Sequence, residues 1–237
     1  MKTIGLIGGM SWESSKTYYA IINEMVRAQL GGLHSARLVM ISLDFHDLEP
    51  RLRAGDWDDI AAILTQAGEK ADKAGAEALL IGSNTMHRVY AEVAGRLNIP
   101  CFHIAAVTGK ALARDQHKKV GLLGTRFTME QPFFADELAN SYSIDTLLPD
   151  PAEMAEINRI IFEELCLGVV SAASRQTMLE IMYHLAAKGA EAVILGCTEI
   201  EMLIKPEHTA IPLYDTTRLH AGAAVEWALD LPEGACR

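Results

Sequence analysis

Short apolar runs alternate along this chain with longer segments in which apolar residues recur every three or four positions. The short runs are rich in branched residues and bounded by glycine; Ala192–Leu195, for example, lies between Gly189 and Gly196. Such runs are typical of interior parallel strands, and the longer segments of amphipathic helices. The alternation predicts an α/β fold in which helices flank mainly parallel sheets.

The same pattern sets the expected order of elements. It predicts a strand at 2–8, a helix capped by Ser11, a strand at 37–43 and a helix at 57–74. Residues 44–50, which end at Pro50, are interpreted as a loop. A last helix at 217–229 has no expected counterpart at the end of the first half, so we expect it to pack back on the first domain.

The chain contains an internal repeat. Segments Ala74–Thr85 and Lys188–Glu199 are nearly the same, 114 positions apart, with Ser83 in the place of Cys197. Two further pairs follow in the same order at offsets of 116 and 112: Ile4–Gly8 with Val120–Gly124, and Ile99–His103 with Ile211–Asp215. Three such pairs indicate a duplication. We therefore predict two similar domains, residues 1–115 (with the helix at 217–237 packing back on it) and 116–216.

Chemistry is expected where the repeated strands end. Gly196 lets the chain turn there, and Cys197 follows at the carboxyl end of its strand, the edge at which open α/β sheets bind ligands. If the two domains are related by a pseudo-twofold axis, Cys197 and Ser83 stand on opposite sides of a cleft between them. That arrangement suits removal of a proton from one face of a carbon and its return to the other.

The composition limits the classes of molecule that the protein is expected to bind. A formal charge of −10 without a basic cluster argues against binding nucleic acid or an anionic membrane. The four cysteines show no metal-binding spacing and are too few for a disulfide framework. With neither a signal peptide nor a membrane-spanning run in the sequence, we expect a cytoplasmic protein that acts on a small molecule and holds no metal.

Three motifs resemble the aspartate/glutamate racemase superfamily: Ile4–Met10, Asn84–Thr85 and Gly196–Glu199. Gly-Cys-Thr-Glu after a buried strand is the specific signal, and the resemblance runs along essentially the whole chain. It implies two similar α/β domains with the active site between them, an amino-acid substrate, no cofactor and a homodimer. In typical members, one cysteine from each half forms an acid/base pair.

This sequence departs from that pattern at one position. Cys197 matches the second cysteine, whereas Ser83 stands at the position of the first. A branch of the family whose sequence looks most similar at residues 8–14 and 84–87 carries a threonine at that first position. A hydroxyl is a much weaker acid than a thiol, whose ordinary pKa is about 8.5. We therefore expect asymmetric catalysis, with a Cys197 thiolate as the base for one enantiomer and slow turnover in the other direction.

The resemblance also implies a set of substrate-binding residues. Hydroxyl and amide groups would hold the α-carboxylate, backbone N–H groups would form the floor, and Glu199 would bind the ammonium group or orient Thr198. His87 would touch the substrate or take a helix-capping role. The expected set is Met10, Ser11, Asn84, Thr85, His87, Thr198 and Glu199.

The side chain of the substrate stays open. Aspartate-specific members hold a second carboxylate with an arginine after the second strand and a lysine before Gly168. Here the loop at 44–49 has no arginine or lysine, and Cys166 occupies the other place. The resemblance therefore does not assure an acidic substrate, and broad specificity is at least as well supported.

Three functions remain in view. The leading one is a cofactor-independent amino-acid racemase. The first alternative is a single-cysteine decarboxylase of malonate-type acids, which has no need of an ammonium site, so that Glu199 favours the racemase. The second is a homologue that binds an amino acid but lost turnover when its first cysteine became Ser83.

Overall fold

The structure, a computed structural model, describes residues 1–236. Its contacts divide the chain into two compact units: Met1–His103 together with the segment from Thr217 onward, and Ile104–Thr216. Each unit has a parallel sheet flanked by helices, as the sequence predicts. In the described part of the chain, no helix combines the length and the apolar character needed to cross a membrane.

The first unit contains a three-stranded parallel sheet in the order β2-β1-β3. Its strands are β1 (Ile4–Gly8), β2 (Leu38–Ser42) and β3 (Ala78–Ile81). Its helices are α1 (Trp12–Leu30), α2 (Phe45–Ala54), α3 (Trp57–Lys73), α4 (Tyr90–Ala94) and α11 (Thr216–Ala228), with a 3₁₀ helix at Thr85–Val89. The segment Ile99–His103, which repeats as Ile211–Asp215, contributes a single bridge, between Leu79 and Cys101.

The second unit contains a four-stranded parallel sheet in the order β5-β4-β6-β7. Its strands are β4 (Lys119–Gly124), β5 (Asp145–Leu147), β6 (Ala192–Gly196) and β7 (Leu213–Asp215). Its helices are α5 (Ile104–Arg114), α6 (Arg126–Glu130), α7 (Pro132–Tyr142), α8 (Pro151–Arg159), α9 (Ala172–Ala187) and α10 (Ile200–Leu203), with a π-helical turn at Ile160–Glu164 and 3₁₀ turns at Leu165–Leu167 and Pro206–His208.

The loop interpretation of residues 44–50 is wrong, because α2 begins there. The Asp44 side chain caps the helix by accepting a 2.9 Å hydrogen bond from the backbone N–H of His46. Leu48 and Leu52 bury one face, and Gly55 closes the helix in a left-handed conformation. Pro50 lies inside the helix, whose cap and buried face outweigh the one hydrogen bond that proline cannot donate.

The strands approach one another closely at their carboxyl ends. A Cβ added to Gly82 would lie 2.9 Å from the Ile7 carbonyl oxygen, and one added to Gly196 would lie 2.8 Å from that of Leu123. These two contacts are equivalent under the duplication. Only glycine fits such an approach of two backbones, so the residues that follow, Ser83 and Cys197, are placed in equivalent positions of their units.

The last helix lies in the first unit, where the sequence analysis expected it to pack, but it does have a counterpart: α5 follows the Cys101 bridge as α11 follows β7. Helix α11 belongs to the first unit, where Ala221 and Val225 pack in one core with Ile4 and Leu6. Helix α5, which follows the first sheet in the chain, belongs instead to the second unit, where it packs on α7. The sequence-based division puts residues 104–115 in the first domain, whereas the contacts group Ile104–Arg114 with the second, because a long apolar helix joins whichever core its buried face fits.

The turn after β1 offers a test of this backbone packing. Gly9 has φ +86° and a Cβ placed there would lie 1.9 Å from the Leu43 carbonyl oxygen, whereas Gly32 has φ +57° and open space around it. Both alanine variants incur the left-handed cost, but only Gly9→Ala also overpacks. We expect Gly9→Ala to lower the free energy of unfolding by about 2–3 kcal/mol more than Gly32→Ala, measured by urea denaturation. Equal losses would contradict the close approach of the Leu43 backbone.

Candidate active site

Cys197 lies directly after β6, in a turn that leads into α10. Its side chain is only 8% exposed and packs in the core cluster of the second unit. The turn is closed by a 3.1 Å hydrogen bond from the Ile200 N–H to the Cys197 carbonyl. The thiol is therefore held at the carboxyl edge of the sheet, as the sequence predicts.

Glu199 is the hydrogen-bond partner of this thiol. The Cys197 Sγ donates to Glu199 Oε2 at 3.0 Å, and the Thr198 hydroxyl donates to the same oxygen at 2.7 Å. The Glu199 side chain is 4% exposed, so these bonds form in a nearly water-free setting. The three residues of the Cys-Thr-Glu motif thus form one hydrogen-bonded group, in which Glu199 orients Thr198.

The surroundings favour the neutral thiol. Burial raises the pKa of Cys197 well above its ordinary value, and the neighbouring Glu199 carboxylate raises it further. Burial, with a smaller effect of Glu199, also raises the pKa of the nearby Cys166 to about 12. The surroundings therefore favour a Cys197 thiol in the resting protein, with the Glu199 carboxylate as the acceptor of its hydrogen bond.

Ser83 lies in a different environment. It is half-buried after β3, its N–H bonds the Ile81 carbonyl at 2.8 Å, and no carboxylate among the described residues accepts a hydrogen bond from its hydroxyl. Asn84 and Thr85 follow at the start of the 3₁₀ helix, 4% and 7% exposed. The equivalence with Cys197 is thus one of backbone position, not of proton chemistry.

The turn after β1 lies beside Ser83 because β1 and β3 are parallel neighbours. Its shape is held by Ser15, whose Oγ accepts from the Gly9 N–H at 2.7 Å and donates to the Ser11 carbonyl at 2.9 Å. Met10 is buried, and Ser11 caps α1 through the Ser14 N–H. In the first unit the structure therefore brings Met10 and Ser11 to the same sheet edge as Ser83, Asn84 and Thr85.

His87 is buried at 2% exposure and forms part of an aromatic cluster in the first unit. Its neighbours are His103, His220 and Tyr90, with ring centroids 5.2, 5.4 and 5.9 Å away. The sequence analysis did not find His220 or Tyr18, which lie far apart in the chain. The one sequence feature that could have pointed to His220 is its place among the apolar positions of the last helix, beside Ala221 and Ala224.

The clustered histidines do not form a metal site. Among residues 1–236, no group of three or more histidine, cysteine, aspartate or glutamate side chains is arranged to hold a metal ion. The histidine cluster in particular is arranged as packed rings joined to backbone carbonyls and a tyrosine hydroxyl.

These features agree with a comparison against known proteins. A sequence model described as Asp/Glu/hydantoin racemase matches residues 7–224, a span that includes Ser83, Cys197 and Glu199. The chain belongs to this family. The superfamily expected from the Gly-Cys-Thr-Glu motif is thereby confirmed.

Two solved structures are similar to nearly the whole chain, and one further relative is similar to about three quarters of it. A provisionally named Asp/Glu racemase from Yersinia pestis is 44% identical, covers 97% of this chain and 100% of its own, and has a TM-score of 0.90. An aspartate racemase homologue from Pyrococcus horikoshii is 30% identical, with coverages of 97% and 100% and a TM-score of 0.85. The broad specificity amino-acid racemase RacX of Bacillus subtilis is 22% identical over 174 residues, 72% of this chain and 73% of RacX. Together these similarities support a racemase-type isomerase.

The proton on Cys197 can be tested directly. Replacing Glu199 with glutamine removes the charge that raises the pKa of Cys197, so alkylation of this thiol by iodoacetamide should begin at lower pH. Modification of the Cys197 peptide, followed by mass spectrometry from pH 6 to 10, measures the midpoint. Glu207→Gln, at an exposed position, is the control and should leave the midpoint in place. An unchanged midpoint in Glu199→Gln would exclude the pairing.

The buried histidines predict a stability that depends on pH. Burial lowers the pKa of His220 to about 3, and burial together with His220 and His103 lowers that of His87 well below its ordinary value. The unfolded chain binds protons first, near pH 6.5, so the stabilisation is complete above that pH and is lost as the pH falls toward 3. Between pH 7 and pH 5 protonation of His220 in the unfolded chain should reduce the free energy of unfolding by about 2 kcal/mol, and His87 should change it in the same direction.

A pair of variants isolates this effect. His220→Gln keeps a side-chain donor near the Phe102 carbonyl but cannot titrate, so its loss of stability between pH 7 and pH 5 should be smaller by about 2 kcal/mol. His34→Gln, a substitution at an exposed position, is the control and should keep the wild-type slope. Urea denaturation at both pH values provides the comparison, and equal slopes in all three proteins would contradict it.

Proposed function

We propose that this protein is a cofactor-independent amino-acid racemase that moves the Cα proton with Cys197 and Ser83. The observation that carries the proposal is the buried Cys197 thiol, which donates a 3.0 Å hydrogen bond to the Glu199 carboxylate at the carboxyl end of β6. Membership of the racemase family and the duplicated strand end at Ser83 support it.

The reaction begins at Glu199. Its carboxylate takes the proton of the Cys197 thiol, and the resulting thiolate removes the Cα proton, so that a C–H bond breaks, an S–H bond forms and the electron pair passes toward the substrate carboxylate. The Ser83 hydroxyl then gives its proton to the opposite face of Cα. Water restores that proton to Ser83 and removes the one on Glu199.

The substrate is held by groups that follow the strands. Asn84, Thr85 and Thr198 supply an amide and two hydroxyls for the α-carboxylate, and fixed donors there stabilise the developing carbanion. The N–H groups of Met10 and Ser11 form the floor. Before it takes the thiol proton, the Glu199 carboxylate also attracts the substrate ammonium group.

Ser83 makes the two faces unequal. Because the two enantiomers have equal free energies, kcat/KM must be the same in both directions, and asymmetry can appear only in kcat and KM separately or in isotope exchange. After Cys197 has taken the Cα proton, its thiol exchanges with solvent and can return a deuteron to the same face. The enantiomer that faces Cys197 should therefore gain deuterium faster than it inverts.

Broad specificity fits the surroundings of α2 better than an acidic side chain. Two arginines lie near the position at which aspartate-specific members bind the second carboxylate. Arg51 forms an ion pair with Asp59, and Arg53 forms one with Glu49. Cys166, in the other expected position, carries no positive charge. RacX, a relative, is named for broad specificity.

The decisive measurement is proton NMR of L- and D-amino acids in D₂O, with enzyme and no added cofactor. Loss of the Cα proton signal from at least one amino acid is expected, and Cys197→Ala should abolish it. Glu199→Gln should slow exchange by about 100-fold, since glutamine cannot accept the thiol proton. Absence of exchange with every amino acid tested would favour the decarboxylase or the binding protein.

The role of Ser83 has its own control. Ser83→Ala should leave exchange at the Cys197 face while racemisation, followed by circular dichroism, falls by at least about 100-fold. Ser83→Cys restores an acidic proton and should raise the slower kcat of the two. Exchange and inversion at equal rates for both enantiomers of the wild type would contradict the asymmetry.

A further inference from the structure

His87 is tied to the backbone of Ser83. Its Nδ1 lies 2.8 Å from the Ser83 carbonyl oxygen, and because that oxygen can only accept, Nδ1 carries the proton. The other ring nitrogen, Nε2, then carries a lone pair and no proton. It is buried and has no hydrogen-bond partner among the described residues.

The local helix type explains why this bond is available. In an α-helix the N–H of residue 87 would bond the carbonyl of residue 83, but the segment Thr85–Val89 is a 3₁₀ helix, and the His87 N–H bonds the Asn84 carbonyl at 3.0 Å. The Ser83 carbonyl is therefore free of the His87 backbone N–H and accepts its hydrogen bond from the His87 side chain. The imidazole thereby fixes the plane of the peptide between Ser83 and Asn84.

The surrounding rings hold the imidazole in that orientation. His220 donates from Nε2 to the Phe102 carbonyl at 3.0 Å, and its Nδ1 accepts from the Tyr18 hydroxyl at 2.9 Å. Tyr90 stacks on His87 and donates to the Cys101 carbonyl at 2.6 Å. Each ring has its own anchor, so the cluster leaves His87 little freedom to turn.

We propose that His87 is a positioning residue for the reaction, which aims the Ser83 hydroxyl and the Asn84 amide by holding the peptide between them. We place it away from the substrate, because its ring is 2% exposed and is packed among His103, His220 and Tyr90. The low pKa of His87, lowered mainly by burial, agrees with a permanently neutral ring. This inference rests on the proposed racemase function for its catalytic part.

Matched variants separate the donor from the bulk of the ring. In His87→Asn the amide nitrogen occupies the place of Nδ1 and keeps the donor, whereas in His87→Gln it is displaced toward Nε2, and His87→Leu has none. The ratio of racemisation to deuterium exchange should fall at least about tenfold in His87→Leu and His87→Gln, because Ser83 is misplaced while Cys197 is untouched. His87→Asn should recover this ratio to within about threefold of wild type.

Two readouts do not depend on activity. In the wild type, ¹⁵N NMR should show His87 protonated at Nδ1 and bare at Nε2, the reverse of the tautomer that free histidine prefers. The backbone amide resonance of Asn84 should shift in His87→Leu and return toward wild type in His87→Asn. Thermal unfolding checks that each variant is folded.

The outcomes are distinguishable. A His87 protonated at Nε2, or an Asn84 resonance that ignores His87→Leu, overturns the positioning role whether or not the protein racemises amino acids. Equal racemisation-to-exchange ratios in His87→Leu and His87→Asn overturn it as well. A wild type without any exchange removes the racemase function, and the tautomer with the Asn84 resonance then decides whether His87 holds the peptide.

Discussion

The close approach of parallel backbones at the carboxyl ends of the strands is the constraint on which the site depends. A Cβ added to Gly82 would lie 2.9 Å from the Ile7 carbonyl oxygen, and one added to Gly196 would lie 2.8 Å from the Leu123 carbonyl oxygen. Any side chain there would push the neighbouring strands apart. The residue after each glycine is therefore fixed to a tightly packed sheet rather than to a free loop, which gives an acid/base group the rigidity it needs.

The duplication preserved this backbone while the chemistry around it diverged. Cys197 has a carboxylate two residues later that accepts a hydrogen bond from its thiol, and burial raises the pKa of that thiol. Among the described residues no carboxylate accepts a hydrogen bond from Ser83, whose carbonyl is bonded instead by the imidazole of His87. The two equivalent positions therefore have neighbours of different chemistry.

Much of this could be predicted from the sequence because it is local. Glycine-bounded apolar runs identify β1, β3, β4 and β6, and the motif at Cys197 identifies the family. The start of α2 was not predicted, because Pro50 is a typical helix breaker and the capping role of Asp44 is visible only in the folded geometry. The membership of α5 in the second unit and the meeting of His220 with His87 depend on tertiary packing, which no local pattern encodes.

The exchanged places of α5 and α11 give the two units different chain continuity. The core around Ile4 and Leu6 contains residues of α1 and also Ala221 and Val225, about 200 positions away, whereas Ile104–Thr216 is one continuous segment with its own core. Contacts between residues distant in the chain are costly in loop-closure entropy, so the first unit is expected to fold more slowly than the second.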